Sequence, residues 1–179
     1  ISSNIQWGGG IRKLKDCEEL LSAGIDRILI GSMACKEPEL VANWLRKINQ
    51  PSKVALAIDV RWDRINQPQP YGSGWLNPSK LDISQVLDHF KSYEGLTILC
   101  TDIECDGTMQ GPAIDLYEYL VANYPNFQWI ASGGVRDVQD LVNLQNSGVW
   151  AAVAGRAILE GKINYVNSIR TLKENQNAC

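Results

Sequence analysis

The chain has 179 residues, 45% of them apolar and 21% charged, proportions of a globular domain rather than a disordered or fibrous one. Its formal net charge of −3 excludes a strong electrostatic pull toward nucleic acid or an anionic membrane, so any phosphate must be held by local geometry. Cys17, Cys35, Cys100, Cys105 and Cys179 are scattered and form no C-x-x-C pair. This pattern predicts free thiols in a reducing compartment, and with no ~20-residue apolar run and no visible leader a cytoplasmic protein is expected.

The chain opens on Ile1-Ser2-Ser3-Asn4, without Met, and runs straight into a strand-like stretch at Asn4–Trp7. Amphipathic spacing predicts a helix over Lys13–Ala23, then a strand over Arg27–Ile30 and a helix over Pro38–Lys47. The next strand, Lys53–Asp59, contains Val54-Ala55-Leu56-Ala57-Ile58, apolar on both faces as in a covered parallel sheet. A polar stretch over 60–78, rich in Pro, Gln and Gly, follows; a loop of that length after a strand is expected to be a lid or binding loop. The remaining units are a helix over Asp82–Tyr93, a strand over Leu96–Asp102 and a helix over Pro112–Tyr124. Phe127–Ser132 (strand), Val138–Ser147 (helix), Ala151–Ala154 (strand) and Ile163–Glu174 (helix) complete them. Strand and helix alternate six times, the pattern of an α/β fold with a parallel sheet.

The sequence repeats itself. Gly9-Gly10-Ile11-Arg12 recurs as Gly133-Gly134-Val135-Arg136, and the same offset of 124 residues maps Gly24 onto Gly148 and Gly31 onto Gly155. Each copy reads strand, G-G-[IV]-R, helix, Gly, strand, Gly, which is the mark of a duplication. Two more strands lie between the copies. If the duplicated unit is a half of four strands, their counterparts fall upstream of residue 1. On this account about 70 residues carrying two β-α units precede the chain, and six units plus two make the eight of a closed (β/α)8 TIM barrel. The chain is thus expected to be a single phosphate-binding barrel domain over 1–179, holding the third to eighth units.

Glycine lets the backbone approach a ligand and turn at positive φ, and the helix that follows offers unpaired N–H groups. Gly9, Gly10, Arg12, Gly31 and Ser32 form one candidate phosphate site. The other is Ser132, Gly133, Gly134, Gly155 and Arg156, the paired loops that barrels favour. Two such sites related by a pseudo-twofold predict a ligand with a phosphate at each end; the competing expectation is that the glycines only cap strands and helices. Active sites of these barrels sit at the C-terminal strand ends. There stand Asp59, directly after an apolar run, and Thr101, Asp102 and Asp106 within Thr101-Asp102-Ile103-Glu104-Cys105-Asp106-Gly107-Thr108. Carboxylates gathered at one strand end suit acid–base chemistry, although Asp106-Gly107 is also a turn signal. Trp75, directly after Gly72-Ser73-Gly74 in the long loop, is placed to close over a planar ligand. His89 is the only histidine and lies in a predicted helix, so a zinc site or a Ser-His-Asp set is not expected.

Gln6-Trp7-Gly8-Gly9-Gly10-Ile11-Arg12, Ala57-Ile58-Asp59, Gly74-Trp75, Thr101-Asp102-Ile103, Asp106-Gly107-Thr108, Ala131-Ser132-Gly133-Gly134-Val135 and Ala154-Gly155-Arg156-Ala157-Ile158 together resemble the phosphoribosylformimino-5-aminoimidazole carboxamide ribotide isomerase family of histidine biosynthesis. The glycine motifs alone are shared with the sister cyclase family of imidazole glycerol phosphate synthase, and a truncated, non-catalytic phosphate-binding form is the third alternative. The resemblance implies an Amadori rearrangement of an aminoaldose to an aminoketose on a doubly phosphorylated ribotide, without metal or organic cofactor, in a protein that is a monomer when complete. It implies a base at the tip of the first strand, upstream of this chain. It also implies Asp59 or Asp106 as the ring-opening acid, with Thr101 beside them, Gly107 at the phosphate, and Trp75 stacking on the imidazole carboxamide. Nucleic acid and membranes are not expected partners.

Overall fold

The computed structural model describes residues 3–178; Ile1, Ser2 and the predicted free thiol of Cys179 lie outside the described residues. The first repeat copy runs β1 (Gln6–Gly8), α1 (Leu14–Ser22), β2 (Arg27–Ile30) and a short α2 (Ser32–Lys36). The middle of the chain holds α3 (Pro38–Ile48), β3 (Val54–Arg61), β4 (Gln69–Tyr71), α4 (Ile83–Asp88), β5 (Thr97–Asp102) and α5 (Ile114–Asn123). The second copy is β6 (Gln128–Ser132), α6 (Val138–Asn146), β7 (Ala151–Val153) and α7 (Arg156–Leu159), followed by α8 (Tyr165–Ala178).

The strands form one sheet of order β1-β2-β3-β5-β6-β7. These six are parallel neighbours in chain order, and β4 returns antiparallel on β3. Helical crossovers between consecutive parallel strands are the grammar of an α/β barrel. The sheet is curled. Arg27 at the start of β2 lies 5.2 Å from the ring of Trp150 just before β7, although three strands separate them. In a flat sheet those strands would stand about 19 Å apart, with side chains perpendicular to the plane and unable to meet. The architecture is therefore a partial (β/α)8 barrel.

Side chains alternate between faces, and residues paired in parallel register share one. On the convex face Ile28, Ile30, Val54, Leu56, Ile58, Val60, Ile98, Cys100 and Ala131 are all 0% exposed. Helices cover them: α3 starts with Pro38 at its first turn and buries Val41, Ala42, Trp44 and Leu45. Each such large apolar side chain stabilises by about 1.5–3 kcal/mol. The concave face carries Leu29, Ala57, Asp59, Leu99, Thr101, Ser132 and Val153 in register, and most of these are partly open.

Two expected elements come out differently, and two short helices are added. Asp59 does not end its strand: β3 continues to Arg61 because Asp59, Val60 and Arg61 pair with Tyr71, Pro70 and Gln69, so part of the long polar stretch is a hairpin. The helix expected to reach Tyr93 stops at Asp88 and tightens into i→i−3 bonds at Phe90 and Tyr93. The short helices α2 and α7 were not expected. Both start at the last glycine of a repeat copy, Gly31 or Gly155, where a barrel phosphate site uses a short extra helix.

Candidate active site

The duplication extends to backbone geometry. Gly9 and Gly10 have φ of 110° and 74°; Gly133 and Gly134 have 106° and 79°. Gly24 and Gly148 match at 93° and 87°, and Gly31 and Gly155 at −90° and −94°. At the first six of these positions only glycine turns without strain. Each turn is fastened by a carboxylate one helical turn on. Asp16 accepts from the N–H of Arg12 at 2.9 Å and of Lys13 at 3.0 Å. Its counterpart Asp140 accepts from the N–H of Arg136 at 2.9 Å and forms a two-point bond with the Arg136 guanidinium at 2.9 and 2.7 Å.

Asp140 is buried while Arg136 is half exposed. The Arg136 guanidinium, opposed by burial, holds the Asp140 carboxyl below its ordinary value. A carboxyl depressed in the folded state stabilises the fold above its unfolded value, and that contribution is lost as pH falls through the folded value. Asp140→Ala is expected to cost about 2 kcal/mol at pH 7. In urea melts the gap between variant and wild type should close as pH drops below the ordinary carboxylate range.

The two glycine cradles sit at opposite flanks of the sheet, at the C-terminal ends of β1–β2 and of β6–β7. At the second, Asp106, Gly107, Ser132, Gly133, Gly155 and Arg156 help line a cleft of about 130 Å³. Arg156 faces it with its guanidinium donating to the Gly107 carbonyl at 2.9 Å and paired with Glu160. The first cradle is open: Gly9 and Gly10 have no described atom within 4 Å of where a Cβ would stand. Ser32 opens α2, and Arg12 is exposed.

Between the cradles, on the two central strands, Asp59 and Thr101 are register partners and so lie side by side on the concave face. Asp59 is partly buried and Thr101 is 7% exposed. The Trp75 indole N–H donates to Asp59 Oδ2 at 2.8 Å. Trp75 is 38% exposed and, with Gly74, turns through positive φ. The loop tip thus folds back onto the carboxylate, an engagement through the indole edge that the sequence did not reveal.

Asp102, gathered with Asp59 and Asp106 in the sequence, pairs with Val60 and points to the convex side. There it accepts from the Glu104 N–H at 2.9 Å and is 7% exposed. Asp106 is exposed in the turn after β5 and borders the Gly133 cleft. His89 caps the C-terminal end of α4, away from the strand ends. Sequence reasoning missed Tyr117, a buried residue of α5 whose hydroxyl reaches the Ser132 backbone; a tyrosine inside an apolar helical stripe carries no signal of that contact. Groups of three or more His, Cys, Asp or Glu able to hold a metal ion do not occur among the described residues.

The chain matches the family described as "Histidine biosynthesis protein" over residues 1–164. It is 43% identical over 160 residues to a 1-(5-phosphoribosyl)-5-((5-phosphoribosylamino)methylideneamino)imidazole-4-carboxamide isomerase of Photobacterium profundum, covering 89% of this chain and 65% of that protein. The enzyme of the same name from Pectobacterium atrosepticum is 40% identical over 169 residues, 94% of this chain and 69% of its own. That from Klebsiella pneumoniae is 38% identical over 166 residues, 93% and 67%. The chain thus spans about two thirds of the length of these relatives. With a matched region that takes in both glycine cradles, Asp59, Trp75, Thr101 and Asp106, the chain belongs to the histidine biosynthesis protein family.

Proposed function

We propose that the barrel to which this chain contributes six strands isomerises a doubly phosphorylated aminoaldose ribotide to the aminoketose, the reaction for which its relatives are named. One observation carries the proposal: two cradles of matched backbone geometry stand at the two flanks of the sheet, with Asp59 and Thr101 on the strands between them. A ligand with a phosphate at each end would span the concave face and present its ribose to Asp59.

In this scheme Asp59 delivers a proton to the ring oxygen, the C1–O bond opens, and a base removes the proton at C2. The resulting enolamine then tautomerises to the ketose. The base belongs to the first strand of two further β-α units that complete the barrel; the greater length of the relatives supports this. Asp106, at the rim of the Gly133 cleft, is the second carboxylate able to serve as acid, and Thr101 supplies a hydroxyl beside Asp59. For Asp59 to reach a substrate the Trp75 bond must open, which frees the indole to stack on the imidazole carboxamide. Gly9, Gly10, Arg12, Gly31 and Ser32 would hold one phosphate; Gly107, Ser132, Gly133, Gly134, Gly155 and Arg156 would hold the other.

The completed protein would work as a monomer in the cytoplasm. The free thiols of Cys17, Cys35, Cys100 and Cys105 are in keeping with that, and no described helix is long and apolar enough to cross a membrane. The test is an assay of aminoaldose-to-aminoketose conversion by the barrel joined to its two N-terminal units. Conversion without added metal is expected; a barrel that binds the ribotide and leaves it unconverted would contradict the proposal.

A further inference from the structure

Tyr117 lies in α5, the crossover between β5 and β6, and is 0% exposed. Its hydroxyl accepts from the Ser132 N–H at 3.0 Å. The same oxygen lies 2.8 Å from the Ser132 carbonyl and 3.2 Å from the Cys100 carbonyl, so its one proton is shared between those two acceptors. A single side-chain oxygen therefore grips both backbone polar groups of Ser132, the residue from which Gly133 and Gly134 spring. Burial raises the phenol well above its ordinary value, so the donor proton stays in place across the working pH range. The other fastenings of this cradle act farther along it. Gly111 donates to the Gly134 carbonyl at 3.0 Å, and Asp140 holds the Arg136 N–H. At Ser132, where strand becomes loop, the clamp comes from the helix.

From this geometry we infer that Tyr117 is a positioning residue for anion binding: its hydroxyl, clamped on Ser132 from the convex side, sets the direction in which the Gly133–Gly134 loop presents its N–H groups to a phosphate. The inference rests on the phosphate role proposed above for that cradle. It adds a residue that touches no ligand and lies on the far side of the strand from it.

The experiment titrates inorganic phosphate into the full chain, following amide resonances of Gly133, Gly134 and Gly155, for wild type, Tyr117→Phe and Tyr93→Phe. Tyr93 is the control because its hydroxyl makes one inward bond, to the Ala42 carbonyl at 3.0 Å, far from the cradle in the fold. Tyr117→Phe keeps the ring and is expected to weaken phosphate binding about tenfold. Tyr93→Phe is expected to lower the melting temperature without moving phosphate affinity. In the wild-type chain the slowly exchanging Tyr117 hydroxyl proton should shift as phosphate is added, a readout that holds even if Tyr117→Phe does not fold. Equal phosphate affinity in wild type and Tyr117→Phe, equal losses in the two variants, or an unmoved hydroxyl resonance would each overturn the positioning role while leaving the phosphate site intact. Absence of phosphate binding in wild type would overturn the cradle itself, and the positioning role with it.

Discussion

Asp59→Asn in the completed barrel is expected to lower kcat by about 10²–10⁴ while KM stays within about threefold. Asparagine keeps the shape of the side chain and an oxygen for the Trp75 N–H, so the loop tip stays docked as in the wild type. Only the transferable proton is gone. Lowering kcat and kcat/KM together is the signature of a group that acts in the transition state rather than in ground-state binding. Steady-state rates of aminoketose formation check this. Asp106→Asn should also abolish turnover if Asp106 is an acid, but its place at the rim of the Gly133 cleft gives a second signature. If Asp106 served only to border the phosphate, its neutralisation would lower KM by removing a like charge and leave kcat unchanged. The kcat–KM split in the two variants thus separates the two carboxylates.

The second large effect is structural. Gly134→Ala should destabilise the fold by about 3–5 kcal/mol, whereas Gly10→Ala should cost only about 1 kcal/mol. The two glycines are repeat partners with nearly equal φ, 79° and 74°, so the conformational penalty is shared. The surroundings differ. A Cβ on Gly134 would stand 2.2 Å from the Gly111 carbonyl oxygen and 2.7 Å from its carbon, both backbone. It could be relieved only by pushing away the loop that carries Asp106 and Gly107. A Cβ on Gly10 meets no described atom within 4 Å. Urea midpoints of the two variants decide the matter, and equal losses would contradict the packing described. Gly134→Ala should also widen the second cleft, so weaker phosphate binding is expected to accompany the lower midpoint.

The architecture was legible because two independent signals agreed. Apolar runs such as Val54–Ile58 favour covered strands, and the 124-residue offset ties β1–α1–β2 to β6–α6–β7. That offset predicts even the helix ends, since α1 (Leu14–Ser22) maps onto α6 (Val138–Asn146) residue for residue. The glycine cradles were legible for the same reason, because positive φ leaves glycine in the sequence at matching places.

What was not legible depends on partners distant in sequence. The extension of β3 past Asp59 requires Gln69-Pro70-Tyr71 to return against it, and three residues centred on Pro70 and preceded by Pro68 give no strand signal of their own. The helices α2 and α7 are too short for a hydrophobic period. Asp102 counted as one of three neighbouring acids until the register placed it opposite Val60, on the other face from Asp59. The Trp75–Asp59 bond spans sixteen residues, and nothing in the local sequence signals that the indole edge donates to that carboxylate. Tyr117 belongs with these: its apolar neighbours Leu116 and Leu120 mark a core position, and only the fold brings its hydroxyl to Ser132.

In the proposed mode of binding, two repeated glycine cradles hold the two ends of one ligand across Asp59 and Thr101. The most direct test of this mode is a crystal structure of the barrel with the doubly phosphorylated aminoaldose bound. One phosphate is expected on the N–H groups of Gly9, Gly10 and Gly31, the other at Gly133, Gly134 and Gly155, and the ribose against Asp59. A ligand bound elsewhere, with both cradles empty, would contradict it.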